Sequence, residues 1–192
     1  MKGVRVTAAA LSLLAALSCA RWETAAESVS GSVLRLHVQA ASDSAEDQRK
    51  KLAARDAVLA VAEPILAECP DRAEAKRRME AALPELARAA AAASGQEAEA
   101  FLVREDFPER DYGAFALPAG EYEALRVRLN GGAGHNWWCV VFPPLCAALE
   151  TGREQGLALF DEAEERLIFG GGRTVKFRFL EWIRSFLKKA GG

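Results

Sequence analysis

Cysteine and histidine are the residues of this chain best suited to covalent chemistry, and both are scarce. Cys139 and Cys146 have six residues between them, including the corner Phe142-Pro143-Pro144-Leu145, and His37 and His135 are the two histidines. A thiol beside an imidazole base becomes a nucleophile, so either cysteine with either histidine defines one chemistry to look for. The same cysteines have two quieter outcomes. If the prolines reverse the chain, Cys139 and Cys146 come within disulfide range, closing a loop that contributes about 2.5 kcal/mol in the chain-entropy account. Otherwise they are buried thiols. Cys69 is left over in both cases. Two histidines without metal spacing, and no C-x-x-C pair, predict neither a metal centre nor a zinc ribbon.

Several polar and aromatic residues stand out beside them. At roughly 100° per residue from Leu52, the residues Val58, Leu59, Ala62 and Leu66 fall between about 240° and 340°, with Arg55 at about 300° among them. A guanidinium in an apolar stripe needs a carboxylate or carbonyl, so Arg55 is expected to pair with Asp43 or another acid, or to contact an anion or a partner. Trp137 and Trp138 are adjacent on a strand and must point to opposite faces; one fills the core and the other is available as a partner anchor or packs on a second covered face. Asp43, Glu46 and Asp47 at a helix start are explained by the helix macrodipole. Gly131-Gly132-Ala133-Gly134 is not a phosphate loop, because no Lys-Ser/Thr follows and a strand comes next.

The elements that must position these residues can be drawn from periodicity. Val33 to Val38 alternates as a strand. Ser44 with Asp47 three residues on resembles a capping box, opening a helix to about Ala62 or beyond, with Pro64 as a kink or a new start. Pro70-Asp71 opens a second helical stretch, interrupted at Pro84, that Ser94-Gly95 ends. Ala98 to Arg104 reads as a strand, Glu121 to Leu129 and Asn136 to Phe142 as two strands joined by Asn130 to Gly134 in a β-hairpin. Glu154 to Leu167 reads as a helix, followed by alternation at Val175, Phe177 and Phe179 and a short C-terminal helix. The fold class is therefore α+β: an N-terminal strand and helices packed on a small antiparallel sheet containing a β-hairpin.

Composition narrows the function. The 192 residues carry 25 basic and 27 acidic side chains, net −2, and 51% are apolar, but 39 of them are alanine. A near-neutral chain is not expected to bind nucleic acid. Away from the N-terminus no apolar run reaches about 18 residues, the length of a membrane span. Met1 to Ala20 reads as a secretory signal: Lys2 and Arg5, then Val6 to Leu17, then the small residues Ser18-Cys19-Ala20. An uncleaved anchor, which would make the one membrane contact, or a lipid-modified Cys19 are the alternatives. Cleavage after Ala20 would leave 23 basic against 27 acidic residues, a net charge of −4. Residues 21–32 read as a tether, and 33–192 as a single domain, in a compartment where disulfides persist.

Two blocks resemble a known family. Arg35-Leu36-His37-Val38, Ser42-Asp43-Ser44-x-x-Asp47-Gln48 and Arg55-Asp56-x-Val58-Leu59 form the first. The second runs from Phe107-Pro108-x-Arg110-x-Tyr112-Gly113, through Pro118-Ala119-Gly120-x-Tyr122-x-Ala124-Leu125-Arg126-Val127, to Gly134-His135-Asn136-Trp137-Trp138-Cys139-Val140-Val141-Phe142-Pro143-Pro144-Leu145-Cys146. Both are similar to the stage II sporulation protein R family, the last string most specifically. Ala41 stands where the family pattern resembles Asn, and Asn130 where it usually shows Gly; segment 70–100 matches poorly.

The resemblance implies an exported sporulation signalling protein, secreted from the forespore into the intermembrane space. There it activates a membrane-embedded aspartic protease that processes the pro-form of the early mother-cell sigma factor. On that reading the chain is a ligand without cofactor or catalytic residues, and the protease's exported face is its partner. Arg35, His37, Asp43, Arg55, Asp56, Arg110, Tyr112, Arg126, Asn136 and Trp138 are the motif-matched candidates for contact. The alternative from the residues alone is an exported Cys/His-dependent enzyme acting on thiols or cell wall.

Overall fold

Helix signals in the sequence are realised at the level of single hydrogen bonds. The computed structural model describes residues 23–112, 115–145, 160 and 162–169. The signal segment Met1 to Ala20, Cys146, the alternation at Val175 to Phe179 and the C-terminal helix lie outside the described residues. Residues 23–32, expected as a tether, are helical (α1), and Val29 within them is buried; the good helix formers Glu23, Ala25, Ala26 and Glu27 favour this. Helix α2 spans Ala45–Ala67, and its N-cap Ser44 accepts a hydrogen bond from the Asp47 amide at 3.1 Å. Helix α3 spans Arg72–Ser94, capped by Asp71, which accepts from the Glu74 amide at 2.8 Å, and closed by Gly95 at φ 64°. Glycine meets that left-handed backbone without the Cβ penalty.

Pro64 and Pro84 interrupt neither helix. Each proline forfeits one ladder bond, and packing offsets the loss. The buried stripe of α2 is Ala54, Val58, Ala62 and Leu66; that of α3 is Ala75, Met79, Ala82, Leu86 and Ala90. Five alanines, Ala54, Ala62, Ala75, Ala82 and Ala90, thus supply small residues to the buried stripes of the two helices.

These helices back a four-stranded sheet made of β1 (Leu34–Gln39), β2 (Ala98–Phe107), β5 (Gly120–Leu129) and β6 (Asn136–Phe142), in the order β2-β5-β1-β6. Leu34, Leu36, Val38, Leu125, Val127, Leu129, Cys139 and Val141 form the core with α2 and α3. The α+β class stands, but the strands around Asn130–Gly134 are not hairpin partners. Strand β1 lies between them, parallel to β5 and antiparallel to β6, so the sheet is mixed. The reason lies in β1, where Arg35 and His37 are buried as well as Leu34 and Leu36 on the other face. A strand covered on both faces gains most in the middle of a sheet.

Where the sequence predicts one domain over 33–192, the chain divides into two compact units. The larger comprises residues 30–107 and 121–160. The smaller draws on residues 1–29, 108–120 and 161–192. In the smaller unit β3 (Arg110–Asp111) pairs antiparallel with β4 (Ala116–Leu117), and helix α4 covers Glu162–Phe169. Phe115, Leu117, Leu167 and Ile168 are buried, and Ser28 Oγ donates to Glu164 Oε1 at 2.7 Å. Pro108 and Pro118 cannot donate to the ladder of the main sheet, which lets this excursion build its own pairing.

An ion cluster ties α3 to the sheet. Glu123 on β5 pairs with both Arg72 and Lys76 of α3. Burial alone would raise the Glu123 carboxyl, but the hydrogen bond from Lys76 and the charge of Arg72 prevail and hold it below its ordinary 4.5. A depressed folded value means stability that is present above the unfolded value and lost as pH falls through the folded one. Glu123→Gln is therefore expected to cost about 1.5 kcal/mol at pH 7. Urea titrations of wild type and variant should converge as pH falls well below the ordinary carboxylate range, and a gap that did not narrow on acidification would contradict the assignment.

Candidate partner-binding site

Alternation on β1, β5 and β2 gives the sheet face turned away from α2 and α3 an ionic character. Cross-strand register places His37 beside Arg126 and Trp138, and Gln39 beside Arg128 and Asn136. Glu105 of β2 reaches this face. Its Oε1 lies 2.7 Å from His37 Nδ1, and its Oε2 accepts from Arg126 Nη1 at 3.3 Å. Arg126 Nη2 donates to Gln39 Oε1 at 3.0 Å. The other ring nitrogen, Nε2, is buried without a hydrogen bond among the described residues. The imidazole meets Phe107 and Trp138 edge-on, at 6.2 and 5.8 Å between ring centroids. Arg35 is fully buried on the same face, its guanidinium 4.0 Å from the Phe107 ring centre and 5.0 Å from that of Tyr122.

The pairing of Cys139 with His37 does not form. His37 stands opposite Trp138, while Cys139 stands opposite Leu36 on the core face, so the sheet separates thiol from imidazole. Cys139 is moreover disulfide-bonded. Its partner lies outside the described residues, as does Cys146; Cys69 is a free, buried thiol, which burial pushes up from its ordinary value. A proteolytic map without reduction is expected to return Cys139 and Cys146 as one linked peptide, and a Cys139 peptide linked elsewhere would reject the spacing argument.

Asp43 and His135 have a local task. Asp43 Oδ1 accepts from the His135 amide at 2.6 Å and pairs with its ring, and these bonds hold the Asp43 carboxyl below its ordinary value. Buried Lys51 donates to the His135 carbonyl at 3.1 Å. Ser42, Asp47 and Gln48 continue the network: Ser42 Oγ donates to Asp47 Oδ2 at 2.5 Å, and Gln48 Nε2 to the Ser42 carbonyl at 2.9 Å. The first motif block and Gly134-His135 therefore clasp the β1–α2 turn to the loop before β6.

Arg55 sits at the edge of the buried stripe instead of its middle, because the residues that α2 buries are centred on Ala54 and Val58 and leave Leu52 exposed. Its acid is Asp56, not Asp43: Nε and Nη2 lie 2.7 and 2.6 Å from Asp56 Oδ1, and the guanidinium stacks 4.9 Å from the Trp137 ring centre. Together they form one wall of a groove of about 150 Å³ between α2 and β6. Trp137 and Trp138 do take opposite faces. Asn136 is exposed. Arg110 and Tyr112 belong to the smaller unit, where Tyr112 stacks on Phe115 at 4.6 Å. The ten candidates thus fall into separate groups: the ionic face, the clasp, the groove and the smaller unit.

Sequence reasoning missed Glu105, Gln39 and Lys51. Glu105 was detectable: had the strand been extended from Arg104 to Phe107, period-two alternation would have put Glu99, Phe101, Val103, Glu105 and Phe107 on one face. Gln39 lay one residue beyond the strand read from the alternation, and the His135 carbonyl that Lys51 meets is distant in the chain.

A mixed sheet backed by two helices, with a charged network on its opposite face, defines a two-layer α+β domain with a histidine–glutamate–arginine centre. The chain belongs to the stage II sporulation protein R family, whose family model matches residues 30–151. It is similar to the stage II sporulation protein R of Bacillus subtilis (strain 168), 36% identical over 177 aligned positions covering 78% of this chain and 79% of the relative. No solved structure matches it.

Proposed function

We propose that this chain is an exported signalling protein of sporulation that acts by binding, and that it activates a membrane-embedded aspartic protease processing the pro-form of the early mother-cell sigma factor. The observation that carries the proposal is family membership, which extends through both motif blocks and most of the chain. Two features support a binding role over thiol chemistry: His37 and Cys139 are on opposite sides of the sheet, and Cys139 is oxidised. Released between the two sporulation membranes, the chain would meet the exported face of the protease. Activation then requires tighter binding to the active arrangement than to the inactive one, since a ligand shifts an equilibrium only by its differential affinity. The test is reconstitution in a non-sporulating host that co-expresses this chain, its matched protease and the pro-sigma substrate. Processing is expected with the N-terminal segment present and to fall away without it; its absence across matched partners would remove the proposal.

A further inference from the structure

The groove between α2 and β6 has a chemistry that the fold itself does not call for. Its volume of about 150 Å³ is lined by apolar side chains, among them Leu59, Leu66, Trp137 and Val141. A void of about that size holds one benzene ring. Arg55 and Asp56 at one end neutralise each other, and stacking on Trp137 keeps the pair in place. Glu63 also lines the groove, about 12 Å from Arg55 along the α2 axis by helix rise. It is exposed and makes no ion pair among the described residues. The groove therefore combines a slot for one large apolar group with a single uncompensated negative charge.

We infer that this groove docks a segment of the partner protease that inserts one aromatic or leucine side chain and carries a lysine or arginine beside it, opposite Glu63. The inference rests on the proposed function and supplies the chemistry of its contact. A bulky anchor in a desolvated slot, with a charge at the rim, is the arrangement in which few residues carry most of the binding energy. The rim charge contributes chiefly to encounter and weakens with salt, whereas the anchor does not.

The test uses the full chain with membranes from the reconstituted host that contain the protease. Glu63→Lys, at an exposed site, is expected to melt with the wild type, to bind those membranes on the order of tenfold more weakly at low salt, and to approach wild type at 0.5 M salt. Leu59→Ala is expected to lose a comparable factor at both salt concentrations. Wild-type binding and processing by both variants, with wild-type chain active, would overturn the groove while leaving the proposed function standing. If the wild-type chain drives no processing, the proposed function falls, and membrane binding still reads the groove: Glu63→Lys binding equal to wild type overturns it.

Discussion

Arg35→Ala is expected to destabilise the larger unit by about 3–5 kcal/mol, the range found when a large buried side chain is truncated or a buried charge loses its setting. Arg35 lies in β1, the strand with both faces covered, and its guanidinium is packed against the rings of Phe107 and Tyr122. Truncation would leave a void beside two aromatic residues that themselves meet edge-on at 5.8 Å. It would also remove cation–π contacts, each about 1–2 kcal/mol when desolvated. Arg35→Lys should not rescue fully, because a compact ammonium has no flat face to lay on a ring and fills less of the space. Urea denaturation of the three chains, followed by tryptophan fluorescence, is the measurement. A midpoint for Arg35→Ala near that of wild type would show that the guanidinium is a passenger in the sheet.

Gly134→Ala is expected to cost about 2–3 kcal/mol for a single added methyl group. A Cβ at this position would sit 2.3 Å from the carbonyl oxygen of Ser42 and 2.4 Å from its carbonyl carbon. Both are backbone atoms, so no rotamer change relieves the clash. The loop would have to lift away, stretching the bond from the Gly134 amide to the Ala40 carbonyl, 2.9 Å, and that from Ala133 to Ala41, 3.3 Å. The Asp43–His135 pairing would go with it. Hydrogen exchange at the Gly134 and His135 amides should rise many-fold while the α2 and α3 amides remain protected, because the opening is local. Asp43→Asn loosens the same clasp, so its effect and that of Gly134→Ala should combine to less than their sum. Full additivity would mean that the two contacts are independent.

These two sites show which features one-dimensional reasoning reaches. The caps Ser44, Asp71 and Gly95 were legible because a cap acts within four residues of itself. The strands at β1, β5 and β6 were legible because alternation is local. Arg55 was singled out as needing an acid, but which acid it meets, Asp56, was left open. A helical wheel has no neighbour, and the face that is buried is chosen by the helix or sheet packed against it. The division into two units went unseen for a related reason, since it depends on segments far apart in the chain meeting one another.

By itself the sequence determined the α+β class, where the two long helices start and where the second ends, the opposed tryptophans and the motif blocks that mark the family. All of these depend on residue type and spacing along the chain. Tertiary structure alone decided that β1 enters between β5 and β6, which turned an expected hairpin into a mixed sheet. That insertion sets His37 beside Glu105's carboxylate and Arg126, keeps it across the sheet from Cys139, and leaves the groove between α2 and β6. Strand order is a choice among pairings of similar local merit, and here the burial of Arg35 and His37 on the second face of β1 made the central position the favourable one.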